Sequence, residues 1–321
     1  MPLIIRKPID LSGFGASKWR KQDHDTPLIL QLAPAKALIF LEEEKYLTKY
    51  RMTHDLIVFP RGRLELHYEA APTDLVRGLS GKGAASVAAA ESIYDAYLEA
   101  HTRFEALLYS AGKVRYLGRM GPESITSFFA EGALSHDKVE WSTDAKAYTL
   151  FEPKLSKPRG RNPLYTAAQL VTPVRWRDMQ RSADNASYPE GELLELYRIR
   201  GKAGWKELRT AAIEASIISE TLLRAYGLKA LTESGFSNNK IKRLRDELTF
   251  NNLLNIVLPL SLSKGELRRV QSAIDAVDRL RGIRNDLVHG NITQKEVEAP
   301  QVEQGIDGAI SLVRFLQAKL A

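Results

Sequence analysis

The chain has 321 residues, of which 44% are hydrophobic, so it is long enough for two domains with substantial cores. It contains no cysteine, which excludes disulfides, thiolate chemistry and zinc sites built on cysteine. The formal net charge is +7, which favours polyanions such as nucleic acid as partners, although solubility alone also accounts for it. No run of roughly 18 apolar residues and no signal-peptide pattern is present, so we expect a cytoplasmic protein without a membrane segment.

The first third of the chain has the composition of β-strands. Residues 26–72 contain short runs of β-branched and aromatic side chains that are broken by Pro and Gly. Near the end of this region, Leu64, Leu66 and Tyr68 alternate with polar residues, which is the pattern of a half-buried strand. We therefore predict a sheet in this part of the chain.

A long helix is predicted over residues 86–112, with Gly112 as its end signal. The apolar stripe of this helix consists of Ile93, Tyr97, Phe104 and Leu108. Together with the preceding strands, the helix predicts an α+β domain over residues 1–152. The sequence does not specify the fold or the role of this domain further.

Residues 153–189 are predicted to form a basic linker that contains Pro and Gly. Its basic residues that we expect to contact RNA are Lys157, Arg159, Arg161, Arg175 and Arg177. One interpretation is a flexible arm that binds the phosphate backbone, with Tyr165 and Trp176 stacking on bases. The other is a solvated linker between domains, and the residues alone do not decide between the two.

Residues 190–321 are predicted to be almost wholly helical and to form an antiparallel bundle of four or five helices. The first long helix is expected to end at Gly227 and the second at Pro259, because Gly and Pro are common at helix ends. The buried face of the first helix is predicted to consist of Leu208, Ala212, Ala215, Ser219 and Leu222.

Two further helices complete the predicted bundle. The third begins at a capping box formed by Ser263 and Glu266 and ends at Gly290. The buried stripe of the last helix is predicted to contain Ile306, Ile310, Val313 and either Leu316 or Leu320.

The apolar stripe of the third predicted helix contains an arginine. The stripe runs through Val270, Ile274, Val277, Leu280 or Arg281, Arg284 and Val288. Arg284 follows Val277 by seven residues, where the helical period calls for an apolar side chain. A buried guanidinium is costly unless it is paired or faces a polar ligand. We therefore expect either a carboxylate inside the bundle or an open end of the stripe, at a cleft or at a second subunit.

The end of this helix combines residue types that suit phosphoryl chemistry. Asn285 follows Arg284 directly, and His289 lies in the last turn beside Gly290. A histidine titrates near neutral pH and can move protons, whereas an arginine can hold an anionic phosphate. The spacing between the arginine and the histidine is weak evidence for such a site by itself. Its position in a long helix strengthens that evidence.

The segment RGIRNDLVHGN resembles the signature of the HEPN family. In that signature an arginine and a polar residue, often Asn, are followed by a histidine four to six residues on, within a helical bundle. The earlier segment ASIISETLLRAYG resembles the early helix of the family, and the Apea-like HEPN group is the most similar subgroup. The resemblance covers roughly residues 195–320 and does not extend to residues 1–190.

The resemblance implies a metal-independent endoribonuclease that needs no cofactor. Such proteins dimerise through the bundle, so that two Arg/His motifs face each other in one composite site, and the implied partners are RNA and a second copy of the chain. On this chain His289 would be the general acid and base, Arg284 would stabilise the phosphate, and Asn285 would orient the histidine or the backbone. Glu220 would be the buried partner of Arg284, or else an ordinary solvent-facing helix residue.

Bacterial HEPN proteins of this layout often act in toxin or anti-phage systems, so the resemblance also implies a defence role. A protein or ligand trigger would then act on the N-terminal domain. Other relatives keep the fold but only bind a partner or RNA, so an inert scaffold is one alternative, and chemistry in the N-terminal domain is another. HEPN toxins silenced by AMP transfer carry a tyrosine two residues after the histidine, where this chain has Asn291, so we do not expect that modification.

Two other motifs are weak. Asp23, His24 and Asp25 are adjacent, but neighbours on a strand point to opposite faces, so no metal site is predicted there. Residues 77–86 resemble a phosphate-binding loop, but Lys82 is followed by glycine rather than Ser or Thr. A glycine-rich turn before a helix is therefore predicted at this position.

Overall fold

The structure is a computed structural model of the chain. It describes residues 1–17, 26–42, 56–114, 128–129, 138–153, 169–204, 207–244, 248–293 and 296–320. The chain divides into two compact units, Met1–Pro189 and Glu190–Ala321. The first unit combines a sheet with helices, and the described residues of the second unit are mainly helical. The predicted order of an α+β domain followed by a helical one is therefore confirmed.

The first unit is built on one sheet. Its strands are β1 (Leu3–Ser17), β2 (Leu28–Gln31), β3 (Lys36–Glu42), β4 (Leu56–Tyr68), β5 (Glu140–Ser142), β6 (Thr149–Leu150) and β7 (Gln169–Val171). The order across the sheet is β2-β3-β4-β1-β5-β6 with antiparallel neighbours, and β7 pairs with β1 in parallel. The central pair, β1 and β4, is the longest in the sheet and runs from Leu3 opposite Tyr68 to Ser17 opposite Leu56.

One face of the sheet carries the core of the first unit. The predicted alternation on β4 is confirmed, because Leu64 and Leu66 are fully buried and Tyr68 is 4% exposed. Two helices follow β4 along the chain, α1 (Thr73–Ser80) and α2 (Ala84–Ser110). The predicted apolar stripe of α2 is buried, and the hydroxyl of Tyr97 donates to the carbonyl of Leu64 at 2.9 Å. This hydrogen bond joins α2 to the sheet.

Part of the predicted linker is folded into the first unit. The strand β7 pairs with β1, and helix α3 (Pro173–Asp184) follows it directly. The hydroxyl of Thr172 accepts a hydrogen bond from the backbone N–H of Arg175, and a proline occupies the first turn. These are ordinary helix-start signals, which the sequence contains.

This segment is folded rather than flexible because two of its large side chains are buried. Trp176 and Met179 are at most 2% exposed and belong to the core of the first unit. A segment that buries two large side chains in this way is not a solvated arm. The prediction of a flexible linker is therefore wrong for residues 169–184, and residues 154–168 lie outside the described part of the chain.

A buried histidine in α2 is expected to make the stability of the first unit depend on pH. His101 is 8% exposed, and among the residues that the structure describes its Nδ1 has no hydrogen-bond partner. Burial, together with the positive charge of Lys7, lowers the pKa of His101 from 6.5 to about 4. Glu105 lies one turn further along the same buried face. The unfolded chain binds the proton first as the pH falls, so we expect a loss of about 3 kcal/mol of stability between neutral pH and pH 4.

Urea unfolding of wild type and of His101→Phe across this pH range measures the effect. Phenylalanine does not titrate, so the variant should lose less stability in acid, and the difference should develop below the ordinary pKa of histidine. An equal loss of stability in the two proteins would show that other groups cause it.

The second unit is a bundle of helices. Its elements are α4 (Gly191–Gly204), α5 (Leu208–Glu233), α6 (Asn238–Leu244), α7 (Phe250–Asn252), a π turn (Leu253–Val257), α8 (Leu258–Ser261), α9 (Lys264–His289) and α10 (Ala299–Leu320). Helix α9 packs against α10 and α5, and α10 also packs against α4. The capping box of Ser263 and Glu266 and the left-handed Gly290 at the end of α9 are confirmed. Among the described residues, no helix has the length and apolar character needed to cross a membrane.

The predicted buried faces of α5 and α10 are confirmed. All five predicted residues of the α5 face are at most 7% exposed. On α10, Ile306, Ile310, Val313 and Leu316 are buried, whereas Leu320 is half-buried. The helical period of the sequence therefore identifies the faces that pack against each other.

Two predicted helix ends are wrong. Gly227 lies inside α5, which continues to Glu233. A Cβ on Gly227 would lie 2.6 Å from Cδ2 of Leu253, so the glycine permits close packing and does not cap the helix. Pro259 lies in the first turn of α8, where a missing N–H costs no hydrogen bond within that helix.

Two glycines let α9 and α10 approach closely. A Cβ on Gly305 would lie 2.7 Å from the Cβ of Leu280, and a Cβ on Gly308 would lie 2.5 Å from the Cβ of Ala276. Atoms do not approach this closely in a packed interior, so a larger residue would push the helices apart. The contact fixes the part of α9 that directly precedes the predicted site residues.

Candidate functional site

The last turns of α9 differ from the predicted apolar stripe. Leu280 and Leu287 are buried, whereas Val288 is 51% exposed. A step of seven residues returns a helix to nearly the same face, and the next residue lies about 100° further round. The buried stripe therefore continues through Leu287, and the prediction that Val288 belongs to it is wrong. Arg284 lies between the two buried leucines and is half-buried.

Arg284 lines an open pocket in the second unit. The pocket has a volume of about 330 Å³. Its lining comes from α5, from α7 and the residue before it, and from α9, and consists of Glu220, Arg224, Thr249, Phe250, Asn251, Arg281, Arg284 and Asn285. The structure thus brings three predicted site residues together, namely Arg284, Asn285 and Glu220. The arginine interrupts the apolar stripe because this part of the helix faces a cleft.

The charged groups of α5 and α9 in this pocket are partly paired. Nη1 of Arg284 donates to Oδ1 of Asn285 at 2.9 Å. Glu220 pairs with Arg224, one turn along α5, at 3.5 Å, and their side chains are 30% and 34% exposed. Glu220 therefore contributes a carboxylate to the pocket but is not the buried partner of Arg284, which is one of the two roles that the sequence leaves open for it.

Arg281 is held by a network that includes the π turn. Its Nε donates to Oδ1 of Asp278 at 3.0 Å. Nδ2 of Asn255 donates to the same oxygen at 3.4 Å and to Oδ1 of Asn251 at 3.0 Å. Asn255 belongs to the π turn, so this turn places an amide between the pocket wall and Asp278. Single π turns of this kind are frequent at functional sites.

The polar lining of the pocket presents mainly hydrogen-bond donors. Oδ1 of Asn251 and Oδ1 of Asn285 both accept hydrogen bonds, which leaves their Nδ2 groups as donors. The three arginines add guanidinium N–H groups, and among the described residues of the lining Glu220 is the one carboxylate. A pocket of this polarity suits a ligand rich in acceptor oxygens, such as a phosphate.

His289 lies one turn beyond Asn285 on the same helix and is not part of the pocket lining. It is the last residue of α9 and is exposed, and Gly290 follows it with a φ of 75°. Asn285 precedes His289 by four residues, so the two side chains share one face of the helix. Arg284 lies about 140° from His289 around the helix axis. The histidine therefore continues the face of Asn285, one turn beyond the pocket.

The predicted RNA-binding residues outside the bundle lie on a helix or beyond the described chain. Arg175 and Arg177 are on α3 of the first unit, where Arg175 is half-buried and Arg177 is exposed. Trp176 between them is buried, so it is not available to stack on a base as predicted. Residues outside the described part of the chain are Lys157, Arg159, Arg161 and Tyr165.

The other motifs add no site to this picture. Asp23, His24 and Asp25 lie outside the described residues. Within the part of the chain that the structure describes, no group of three or more His, Asp or Glu side chains is arranged to hold a metal ion. In the glycine-rich segment, residues 77–80 belong to the end of α1, and the predicted turn is confined to residues 81–83, directly before α2.

Sequence reasoning missed several residues of the pocket. Arg224 follows Glu220 by four residues and Arg281 precedes Arg284 by three, so helical spacing alone would place each pair on one face. No such signal exists for Thr249–Asn251. Their position depends on how the segment between α6 and α9 folds back over the other helices, which a local pattern does not encode.

Comparisons of the chain with protein-family models, with curated proteins and with solved structures gave no match. Conclusions about function therefore depend on the residues of this chain and on the geometry of the pocket.

Proposed function

We propose that the second unit is a HEPN-type, metal-independent endoribonuclease that cleaves RNA by attack of a 2′-hydroxyl on the adjacent phosphorus. The observation that carries the proposal is the pocket, in which Arg284 and Asn285 of the HEPN-like segment lie together with two further arginines. His289 lies one turn after Asn285, at the exposed end of the same helix. The first unit would select the RNA or respond to a protein or ligand trigger, and the protein would act as a cytoplasmic toxin or defence effector.

The chemistry requires few groups. A base removes the proton of the 2′-hydroxyl, the bond between O2′ and phosphorus forms, and the bond from phosphorus to the 5′-oxygen breaks as an acid protonates that oxygen. The products are a 2′,3′-cyclic phosphate and a 5′-hydroxyl. Arg284 stabilises the negative charge that develops on the phosphate oxygens, and its hydrogen bond to Asn285 fixes the guanidinium. His289 transfers the protons.

The number of histidines favours a site shared by two chains. The reaction has two proton transfers, and His289 is the only histidine in residues 190–321. A second copy of the chain would supply a second histidine, which accounts for the exposed position of His289 at the end of the helix. We therefore include a homodimer through the helical bundle in the proposal.

Exposed apolar side chains flank the pocket where such a dimer would form. Ile217 lies one turn before the pocket residues of α5, and Val288 lies one turn after those of α9. Both side chains are about half exposed, at 50% and 51%. Apolar residues in this position suit a protein interface.

The test is cleavage of total bacterial RNA in the presence of EDTA by the full chain and by His289→Ala at equal concentrations of folded protein. We expect cleavage by wild type alone, with 2′,3′-cyclic phosphate ends on the products. Circular dichroism of both proteins is the control for folding. Equal cleavage by both proteins would remove His289 from the reaction and would point to the first unit or to a contaminant.

An inert scaffold that dimerises and binds RNA is a second candidate, and one observation favours it. His289 lies outside the pocket lining, so a single chain does not bring the histidine and Arg284 into one cavity. The scaffold predicts RNA binding without cleavage and an affinity that His289→Ala leaves unchanged. The EDTA experiment, combined with a binding assay, therefore distinguishes the two functions.

A further inference from the structure

We propose that Arg281 and Arg224 hold a second phosphate of the RNA, next to the phosphate held by Arg284. This inference rests on the proposed function, because it takes RNA as the ligand. It specifies the class of substrate, because the site would then require two consecutive phosphodiesters. Such a site would favour a single-stranded segment of RNA over an isolated dinucleotide.

The first argument is the number of cations. Three arginines line one pocket of about 330 Å³. A single phosphodiester has two non-bridging oxygens, and one guanidinium can bind both of them through two parallel hydrogen bonds. Arg284 is sufficient for this purpose, so a single phosphate accounts for one of the three arginines of the lining.

The second argument is the way Arg281 is held. Its Nε and Nη2 both lie 3.0 Å from Oδ1 of Asp278, so one edge of the guanidinium is occupied. Asp278 does not belong to the pocket lining, whereas Arg281 does. Asn255 of the π turn binds the same carboxylate oxygen. Arg281 is thus fixed from outside the pocket, and its remaining N–H groups are available to a ligand inside it.

The third argument is the distance between the two binding positions. Arg281 and Arg284 are three residues apart on α9, so their Cβ atoms are about 5–6 Å apart on one helix face. Arg224 reaches the pocket from α5, where it pairs with Glu220 at 3.5 Å. Consecutive phosphates of one flexible strand can therefore contact Arg284 and the Arg281–Arg224 pair at the same time.

The test uses a ligand that cannot be cleaved. The full chain is titrated with a 2′-O-methyl trinucleotide that has two charged linkages, and with two analogues in which a neutral methylphosphonate replaces the first or the second linkage. Each replacement should weaken binding to wild type about tenfold, which corresponds to the loss of one charge-assisted contact. The variants are Arg281→Gln, Arg224→Gln and Arg284→Gln, and Arg279→Gln is the matched control, because Arg279 is exposed on the same helix outside the lining.

For Arg281→Gln and for Arg224→Gln, we expect that one of the two methylphosphonate analogues, the same one for both variants, binds as tightly as the fully charged trinucleotide. In Arg284→Gln, neutralisation of the other linkage should lose its effect, and Arg279→Gln should behave like wild type. The proposal is overturned if all three pocket variants respond to the same linkage, if Arg281→Gln and Arg224→Gln respond like wild type, or if wild type does not bind the trinucleotide. None of these binding measurements depends on cleavage. If the protein cleaves RNA but does not show this pattern of binding, only the second phosphate-binding position is refuted. If it shows this pattern of binding but does not cleave RNA, only the proposed ribonuclease activity is refuted.

Discussion

Replacing Arg284 by glutamine is expected to lower the rate of RNA cleavage by about 100- to 1,000-fold. The guanidinium lines the pocket and donates to Asn285, so its removal takes away the positive charge opposite the phosphate and releases the amide. Lysine at this position should restore only part of the rate, because it keeps the charge but not the planar pair of donors. The side chain is half-buried at an open cleft, so the bundle should remain folded.

Single-turnover cleavage of a defined RNA at saturating protein concentration measures this effect, since it separates the chemical step from binding. Arg279→Gln is the control for a general loss of positive charge on the same helix. A fall in the rate that is equally large in Arg279→Gln would assign the effect to overall charge. A change in affinity with no change in rate would make Arg284 a binding residue only.

Replacing Gly308 by valine is expected to lower the free energy of unfolding by about 2–3 kcal/mol. Even the first carbon of the new side chain would meet the Cβ of Ala276 at 2.5 Å and the backbone carbonyl of Ala273 at 3.1 Å. Neither atom is the end of a flexible side chain, so α10 must move away from α9. The shift would also displace the helix that carries Arg284, and RNA cleavage should fall with stability.

Urea unfolding followed by helical circular dichroism is the measurement. Gly282→Ala is the matched control on α9, because a Cβ on Gly282 would meet no atom within 4 Å. Alanine is the better helix former, so this control should gain about 0.5–1 kcal/mol. If the two substitutions changed stability in the same direction, then the close approach of α9 and α10 would not depend on the glycine.

The periodic parts of the fold can be predicted from the sequence. The alternation at Leu64, Leu66 and Tyr68 and the helical stripes of α5 and α10 are local patterns, and each is buried as the pattern requires. The start of α9 is predictable for the same reason, because the capping box joins Ser263 to a residue only three positions away. Local signals succeed where the partner of a residue lies within a few positions of the chain.

Local patterns do not predict features that depend on distant partners. Gly227 has the appearance of a helix end, but it is present because Leu253 packs against it from another part of the chain. Composition predicts a solvated segment around Trp176, yet its ring lies in the core under a sheet. Arg284 and Asn285 were found in the candidate site because they belong to one short motif. Asn251 and Arg224 were missed because tertiary structure alone brings them to that motif.

The π turn has a consequence for the position of Asn251. The backbone N–H of Leu258 bonds to the carbonyl of Leu253, five residues back, so the turn holds one residue more than a turn of α-helix. If the same residues were wound as a regular α-helix, those before the turn would be rotated by about 100° relative to those after it. Asn251 would then leave the pocket wall although no residue of the wall had been changed. In this segment the backbone conformation is as much a determinant of the binding surface as the identity of the residues.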